Sequence, residues 1–583
     1  MDRRHFIGTG AALAVSSTLR VPPARAGAVQ RVRPGMPGWP LDTEWAALND
    51  ATNGRLSRVT PVAVNPADAQ KLLSNPFFIA DQVALTQSAG WLDAWRSSPS
   101  AYVVTAENAS DVAAAIRCAS THNLRLVVRG GGHSYLGTSN APDSLLIWTR
   151  KMDAVTVHEA FVPAGSRASP VSAVSLGAGC KWLHAYQAVT GGAGRYVQGG
   201  GCTTVGVAGL LLGGGFGSFS KAYGLAAASL LEAEIVTADG LVRVVNEAQD
   251  ADLFWALKGG GGGTFGVVTR LTVATHPLPD KFGALNVTLQ ARSEEAYRRL
   301  LACFVDVYAS NLFNPHWGEQ VRAGPDNRLR VSMVFQGMSK DQATAAFMPL
   351  IEFANANATD FDGQKSLNAA DVSARYFWNA WLLRFFAASA VSFDGRSGAS
   401  WSDFWWSGDG GQVGAFWHAY ASAWLPASLL VPSERSRLVD AWFAASRHWG
   451  VSFHFNKGLA GAPQAAITTA RNTATNPDVL TAFALAISAD SSSPTNPAAD
   501  LTARDRATRV QAAMTALRAA APGAGTYVNE CDYFQENWQQ AFWGPNYQRL
   551  AAIKSRYDPN GLFTVHHGVG SEGWSSDGFS RAG

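Results

Sequence analysis

From Tyr102 onward, short apolar runs alternate with one clearly amphipathic segment. Tyr102-Val103-Val104 predicts a strand. Asn108 to Thr121 predicts a helix, because Val112, Ala115, Ile116 and Ala119 recur at three- and four-residue spacing, with Ser110 as its cap. Leu124 to Val128 and Leu145 to Trp148 read as further strands. Leu231 to Thr237 runs into the turn Ala238-Asp239-Gly240, and Leu241 to Val245 returns as its hairpin partner. Val267 to Ala274 is one more strand. Beyond His276-Pro277 the texture changes: helical spacing, Ala-rich stretches and Trp-rich loops dominate 280–520. Within it, Phe453 to Lys457 alternates, which would put His454 and Asn456 on one face and Phe455 and Lys457 on the other. Residues 494–525 read as a polar lead followed by an Ala-rich helix. Residues 27–92, punctuated by Pro and Asn, read as a lead-in segment, and no repeat of fixed period is present.

At 583 residues the chain is too long for one compact core and predicts two or three domains. Its first 26 residues have the order of a leader. Arg3-Arg4-His5-Phe6-Ile7 is a twin-arginine pattern, an apolar run reaches Leu19, and Ala24-Arg25-Ala26 resembles a cleavage site. The apolar run is too short to span a bilayer, and no other stretch is long enough. This predicts export by the twin-arginine machinery to the periplasm or the extracellular space. The formal net charge is +3, but residues 1–26 hold four arginines and one aspartate, so the remainder is balanced. Such a balance gives no nucleic-acid footprint. The five cysteines (Cys118, Cys180, Cys202, Cys303 and Cys531) form no CxxC and no zinc-type spacing, so neither a metal site nor a disulfide scaffold is expected.

Glycine is concentrated in three blocks: Arg129-Gly130-Gly131-Gly132-His133-Ser134-Tyr135, GGGCTTVGVAGLLLGGGFG over 199–217, and KGGGGGTFG over 258–266. Consecutive amides in such turns form an anion nest, and side chains there would obstruct a pyrophosphate. Three blocks in one region point to a large phosphorylated cofactor wrapped by loops. The Rossmann pattern does not fit, because GGGHSY is followed by a polar turn and a strand rather than a helix.

These blocks, with LEAEIVTADG, FWALKGGGGGTFGVVTR and the terminal YVNE and NYQRLAAIKSRYDPNGLF, resemble the berberine-bridge-enzyme-like branch of the vanillyl-alcohol-oxidase/PCMH flavoproteins. The likeness covers roughly 95–277 and 526–570. It implies an α+β fold: a two-subdomain PCMH-type FAD-binding domain over 94–279, and a mixed α/β substrate domain over 280–525 with an antiparallel sheet above the flavin. A berberine-bridge-like segment over 526–583 would return to the FAD domain, and 27–93 would precede both. The resemblance further implies FAD held by two bonds, from the flavin 8α carbon to His133 and from C6 to Cys202. Arg129, Gly130, Gly131, Gly132 and Ser134 would contact the pyrophosphate. Gly201, Thr203, Val205, Gly206 and Gly209 would line the flavin, and Val236 would meet the adenine side through its backbone. Many relatives read GLAxDN where this chain reads Gly224-Leu225-Ala226-Ala227-Ala228-Ser229.

The resemblance implies an oxidoreductase taking a hydride from an alcohol, sugar or aromatic. Val205 stands at the family's oxygen gate, where a small residue goes with O2 as acceptor and hydrogen peroxide as product. A dehydrogenase or oxidative cyclase with another acceptor, and a non-catalytic binding protein, remain alternatives. Alcohol oxidation needs a base near the hydroxyl. Two family positions have changed: the tyrosine of GGGYG is Phe216, and the second tyrosine of YxNY is Glu530. An extended Tyr527–Glu530 would put Tyr527 and Asn529 on one face and Val528 and Glu530 on the other. Glu530 is therefore the candidate base, with Tyr135, His454, Asn456 and Lys457 as further candidates and Asn529 on the cofactor side. The eight aromatics of 401–424 suit either stacking on a substrate or simple core packing.

Overall fold

The computed structural model describes residues 28–362, 367–492 and 502–582. The twin-arginine leader expected over 1–26 lies outside the described residues, as does most of the polar lead after 494. Among the described residues no helix is long and apolar enough to cross a membrane.

Two sheets form the N-terminal half. The first has strands β1 (Leu56–Arg58), β2 (Tyr102–Thr105), β3 (Leu126–Arg129) and β4 (Leu145–Trp148), in spatial order β1-β2-β4-β3 with the last three parallel. Helix α1 (Ala109–Thr121) packs here through Val112, Ala115, Ile116 and Ala119, all fully buried. Its cap is Asn108 rather than Ser110: Asn108 is extended, and its side chain accepts from the Asp111 amide at 3.1 Å. The second sheet is antiparallel. It contains β5 (Val155–Phe161), β6 (Val171–Gly177), β7 (Arg195–Val197), β8 (Leu230–Val236), β9 (Val242–Val245) and β10 (Val267–Pro277), ordered β9-β8-β10-β6-β5 with β7 on β10. The expected hairpin is present, Val236 facing Val242 across the turn.

The region 280–520 carries far more strand than its texture suggests. Strands β11 (Lys281–Ala291), β12 (Trp317–Ala323), β13 (Arg328–Gln336), β14 (Asn368–Ser373), β15 (Ala415–Pro426), β16 (Val451–His454) and β17 (Ala482–Ser492) belong to one ten-stranded sheet. All its pairings are antiparallel except β15 with Ser88–Trp91. β15 hides from a periodicity reading because eleven of its twelve residues are buried. A strand covered on both faces loses its alternation. Helices Glu294–Val307, Lys340–Ala356, Arg435–His448 and Ala503–Arg518 close one core of this domain. The opposite face contributes Asn286, Glu319, Gln320, Ser332, Tyr420 and His454 to a deep cavity against the glycine loops.

The lead-in contributes to two sheets: Leu56–Arg58 joins the first and Ser88–Trp91 the third, where Trp95–Arg96 pairs with it. At the other end, the buried Lys554 ammonium binds the Thr264 and Phe563 carbonyls at 2.6 and 2.7 Å and Asp558 at 2.6 Å. The C-terminal segment is thereby tied back onto the third glycine block.

Candidate functional site

A cavity of about 830 Å³ lies between the glycine loops and the large sheet, with Arg125, Leu126, Lys457 and Glu530 among its lining residues. Two glycine loops meet along its wall. A Cβ built on Gly131 would lie 2.5 Å from the Gly206 nitrogen, and one on Gly206 would lie 2.7 Å from the Gly131 nitrogen. These two positions are glycine because the loops themselves touch, a constraint beyond the room a pyrophosphate needs. Gly132 follows in the left-handed region at φ +76. Among the described residues, the amides of Gly131, Gly132, His133 and Ser134 find no acceptor within the chain. A loop rich in free donors beside a cavity is an anion nest.

His133 and Cys202 both face this cavity, one from each loop. The imidazole is buried, its Nε2 is 3.3 Å from the Thr204 hydroxyl, and burial pushes its pKa down to about 4. It is therefore neutral at pH 7. Burial, reinforced by Asp409, pushes the Cys202 thiol well above its ordinary value. The Cys202 side chain is therefore a protonated thiol beside Asp409. Gly201 accepts from the Trp406 indole at 3.1 Å. Val205 and Gly209 line the same wall.

Of the expected cofactor contacts, Arg129 lines the cavity with its guanidinium already engaged, and two others lie off it. The Arg129 guanidinium is spent on the Leu85 carbonyl at 2.8 Å and Asn140 at 3.2 Å, and it lies over the Trp148 ring. It braces the loop, and Arg129 also lines the cavity. Thr203 lies off the cavity, its carbonyl taken by the Leu183 amide at 3.0 Å. Val236 is inside β8, paired to Val242 on one side and Val267 on the other, and does not reach the cavity.

On the opposite wall Tyr527–Glu530 is a turn, not an extended segment: the Glu530 amide donates to the Tyr527 carbonyl at 2.9 Å. Tyr527, Val528, Asn529 and Glu530 consequently all line the cavity. The Asn529 amide group donates to the Tyr527 hydroxyl at 2.9 Å. The alternation read for 453–457 also breaks. β16 ends at His454, a turn follows with the Lys457 amide donating to His454 at 3.1 Å, and Phe455 is buried in the domain core. His454, Asn456 and Lys457 all reach the cavity. Lys457 Nζ holds Glu530 at 2.6 Å. Burial, then Lys457, pushes His454 well below the usual imidazole range. Tyr135 packs on Trp417 and Tyr420 at 4.6 and 5.1 Å and donates to Gln412 at 3.1 Å. Phe216 meets the Tyr527 ring edge-on at 4.9 Å.

Two carboxyl groups in the cavity were not legible beforehand. Burial raises Asp409 to about 6, and its Oδ2 is closed from solvent with no hydrogen-bond partner. Glu319 on β12 accepts from the Ser218 hydroxyl at 2.5 Å, and burial raises it too. Glu319 has φ +67, rare for a non-glycine residue, which aims it off the regular strand. Glycine flanking Asp409 in Ser407-Gly408-Asp409-Gly410-Gly411 is the one faint signal of a special loop.

A family profile described as FAD binding domain matches residues 99–246, and one described as berberine and berberine like matches 526–570. An uncharacterized FAD-linked oxidoreductase of Arthroderma benhamiae is 30% identical over 95% of this chain and 96% of its own. The chain belongs to the FAD-linked oxidoreductases of the vanillyl-alcohol-oxidase and berberine-bridge-like family. The VAO-type flavoprotein oxidase VAO615 of Thermothelomyces thermophilus is 29% identical over 94% of each chain. The solved structure of MtVAO615 from Myceliophthora thermophila superposes with a TM-score of 0.77 at 26% identity, covering 95% of this chain and all of that one. A glucooligosaccharide oxidase from Acremonium strictum shares the fold at 18% identity, with a TM-score of 0.65 over 90% of this chain and 98% of its own.

The residues present suit FAD. The free amides of the first glycine loop would hold the pyrophosphate, and Gly201, Val205, Gly206 and Gly209 would flank the ring system. As an oxidoreductase of this family, the enzyme uses the redox chemistry of FAD, which accepts a hydride when bound.

Proposed function

We propose that the protein is an exported oxidase that takes a hydride from an alcohol carbon and passes the electrons to O2, giving hydrogen peroxide. Its FAD is joined to the chain at both His133 and Cys202. One observation carries this reading: His133 and Cys202 face a single cavity from two loops clamped at Gly131 and Gly206, with a cluster of acids on the facing wall. A neutral imidazole is the nucleophilic form, and Asp409 is an acceptor for the Cys202 proton. Bonds at both ring positions withdraw electrons and favour hydride uptake from weakly activated alcohols.

The proton of the substrate hydroxyl goes to a carboxylate. Asp409 suits this better than Glu530. It has no cationic partner among the described residues and is poised near pH 6, where a base is both available and strong enough. Glu530 is held by Lys457 and serves to orient and balance charge. The aromatic wall of Phe377, Trp378, Trp406 and Tyr420 suits a ring-bearing substrate, sugar or aromatic. Val205 leaves the flavin open to O2.

The test has two arms. Acid precipitation should carry the yellow colour down with the protein. A panel of oligosaccharides and aromatic or polycyclic alcohols, read by peroxide release, should give turnover with one class. Colour left in the supernatant refutes covalent attachment, and reoxidation taking minutes after anaerobic reduction refutes the oxidase.

A further inference from the structure

Lys221 lies where the second glycine block ends, in the short helix Ser220–Tyr223 of the FAD-binding half, and its side chain is buried. Its Nζ donates to three backbone carbonyls of the other half: Gly458 at 3.0 Å, Ala460 at 3.0 Å and Phe483 at 2.9 Å. The Phe313 ring lies 5.7 Å away. Among the described residues no carboxylate forms an ion pair with it. A buried ammonium without a counter-ion is costly, and only its full set of carbonyl acceptors offsets that.

The three acceptors frame one turn. Gly458 follows Lys457 directly, has φ +130, and would meet the Ala482 carbonyl at 2.6 Å if it carried a Cβ. The turn cannot shift without moving Lys457, whose Nζ holds Glu530 in the cavity. Asn456, one residue earlier, donates to the Gly217 carbonyl at 3.3 Å, so both ends of the contact bind the same stretch of the FAD half.

We propose that Lys221 is a positioning residue that fixes the 457–460 turn and so sets the Lys457–Glu530 pair at the flavin. This deepens the proposed function, and it rests on that reading only for the bound flavin, not for the substrate or for O2.

The number of protons on Lys221 matters. An ammonium has three N–H donors for three carbonyls, whereas a neutral amine has two. Burial brings Lys221 down to about 7, with no neighbouring charge contributing. The charged residues of the elements packed on its helix are Glu319 and Arg322 on β12 and Arg471 on Gln464–Arg471; Lys457 and Glu530 lie beyond the turn. As pH rises through this value one carbonyl loses its donor and the turn loosens.

The flavin midpoint potential of the holoenzyme, titrated with a reducing dye, tests this without any substrate. Lys457→Met leaves Glu530 uncompensated beside the flavin and should lower the potential. Lys221→Met should lower it in the same direction, and the double variant should fall no further than Lys457→Met. In the wild type the difference from Lys457→Met should shrink between pH 6 and pH 8. A wild-type potential in Lys221→Met, or additive shifts in the double variant, would overturn the proposal. If Lys221→Met does not accumulate with flavin, the pH dependence decides alone: a difference constant from pH 6 to 8 overturns it. Failure of the oxidase reading would leave these potentials unchanged.

Discussion

The two walls of the cavity are built on different terms. The glycine wall works through backbone: free amides, a left-handed Gly132, and two loops so close that neither Gly131 nor Gly206 has room for a Cβ. The facing wall works through side chains: Asp409, Glu319, Glu530, Lys457 and Tyr420, brought in from five separate stretches of chain. A backbone cradle must be written locally, as runs of glycine. A side-chain wall needs only single residues far apart, each positioned by the sheet. The first kind of site therefore shows in sequence, and the second is assembled by the fold.

That contrast can be broken most sharply at the attachment points. Replacing His133 and Cys202 together with alanine should abolish covalent flavin while leaving the cradle able to bind FAD reversibly. Acid-soluble flavin equal to total flavin is the readout. Asp409→Asn comes next. It should lower kcat by about 10²- to 10⁴-fold, the usual worth of a general base, with flavin content retained. The same variant should remove the acid limb of the pH profile. Asp409 must be ionised to accept a proton, so wild-type activity should rise with pH through about 6. Glu530→Gln should cost less than Asp409→Asn, because it removes the partner of Lys457 rather than the base. An equal or larger loss would return the base role to Glu530.

On the cradle side, Gly131→Ala forces a methyl against the Gly206 nitrogen at 2.5 Å. Overpacking of this kind costs about 1–3 kcal/mol. A lowered Tm with depleted flavin is expected, whereas an unchanged Tm would mean the loops separate easily. The smallest structural change is Val205→Leu, which should slow flavin reoxidation by O2 and leave anaerobic reduction nearly untouched.

Much of the cradle was readable in advance because its chemistry is local. The strands and hairpin around it were readable for the same reason, each having a clean alternating or apolar run beside a turn. Ser110 was a wrong cap because Asn108, two residues earlier, was already extended and able to accept. The facing wall misled in two places. Tyr527–Glu530 and the stretch after His454 look extended in one dimension, yet both turn, which moves Lys457 to the cavity and Phe455 into the core. Glu319 carries no local mark at all; only its left-handed backbone on β12 turns it inward. Arg129 shows the converse. The family resemblance implies a phosphate contact there and the residue lines the cavity, but its carbonyl partners at Leu85 and Gln82 come from the lead-in segment and cannot be read from spacing.

The most direct measurement is the mass of the flavin-bearing peptides after denaturation and proteolysis of the purified enzyme. One species in which a single FAD joins the peptide of His133 to the peptide of Cys202 is expected. Free FAD alongside both peptides at their unmodified masses would contradict the double attachment, and with it the view that these two loops close on opposite edges of one flavin.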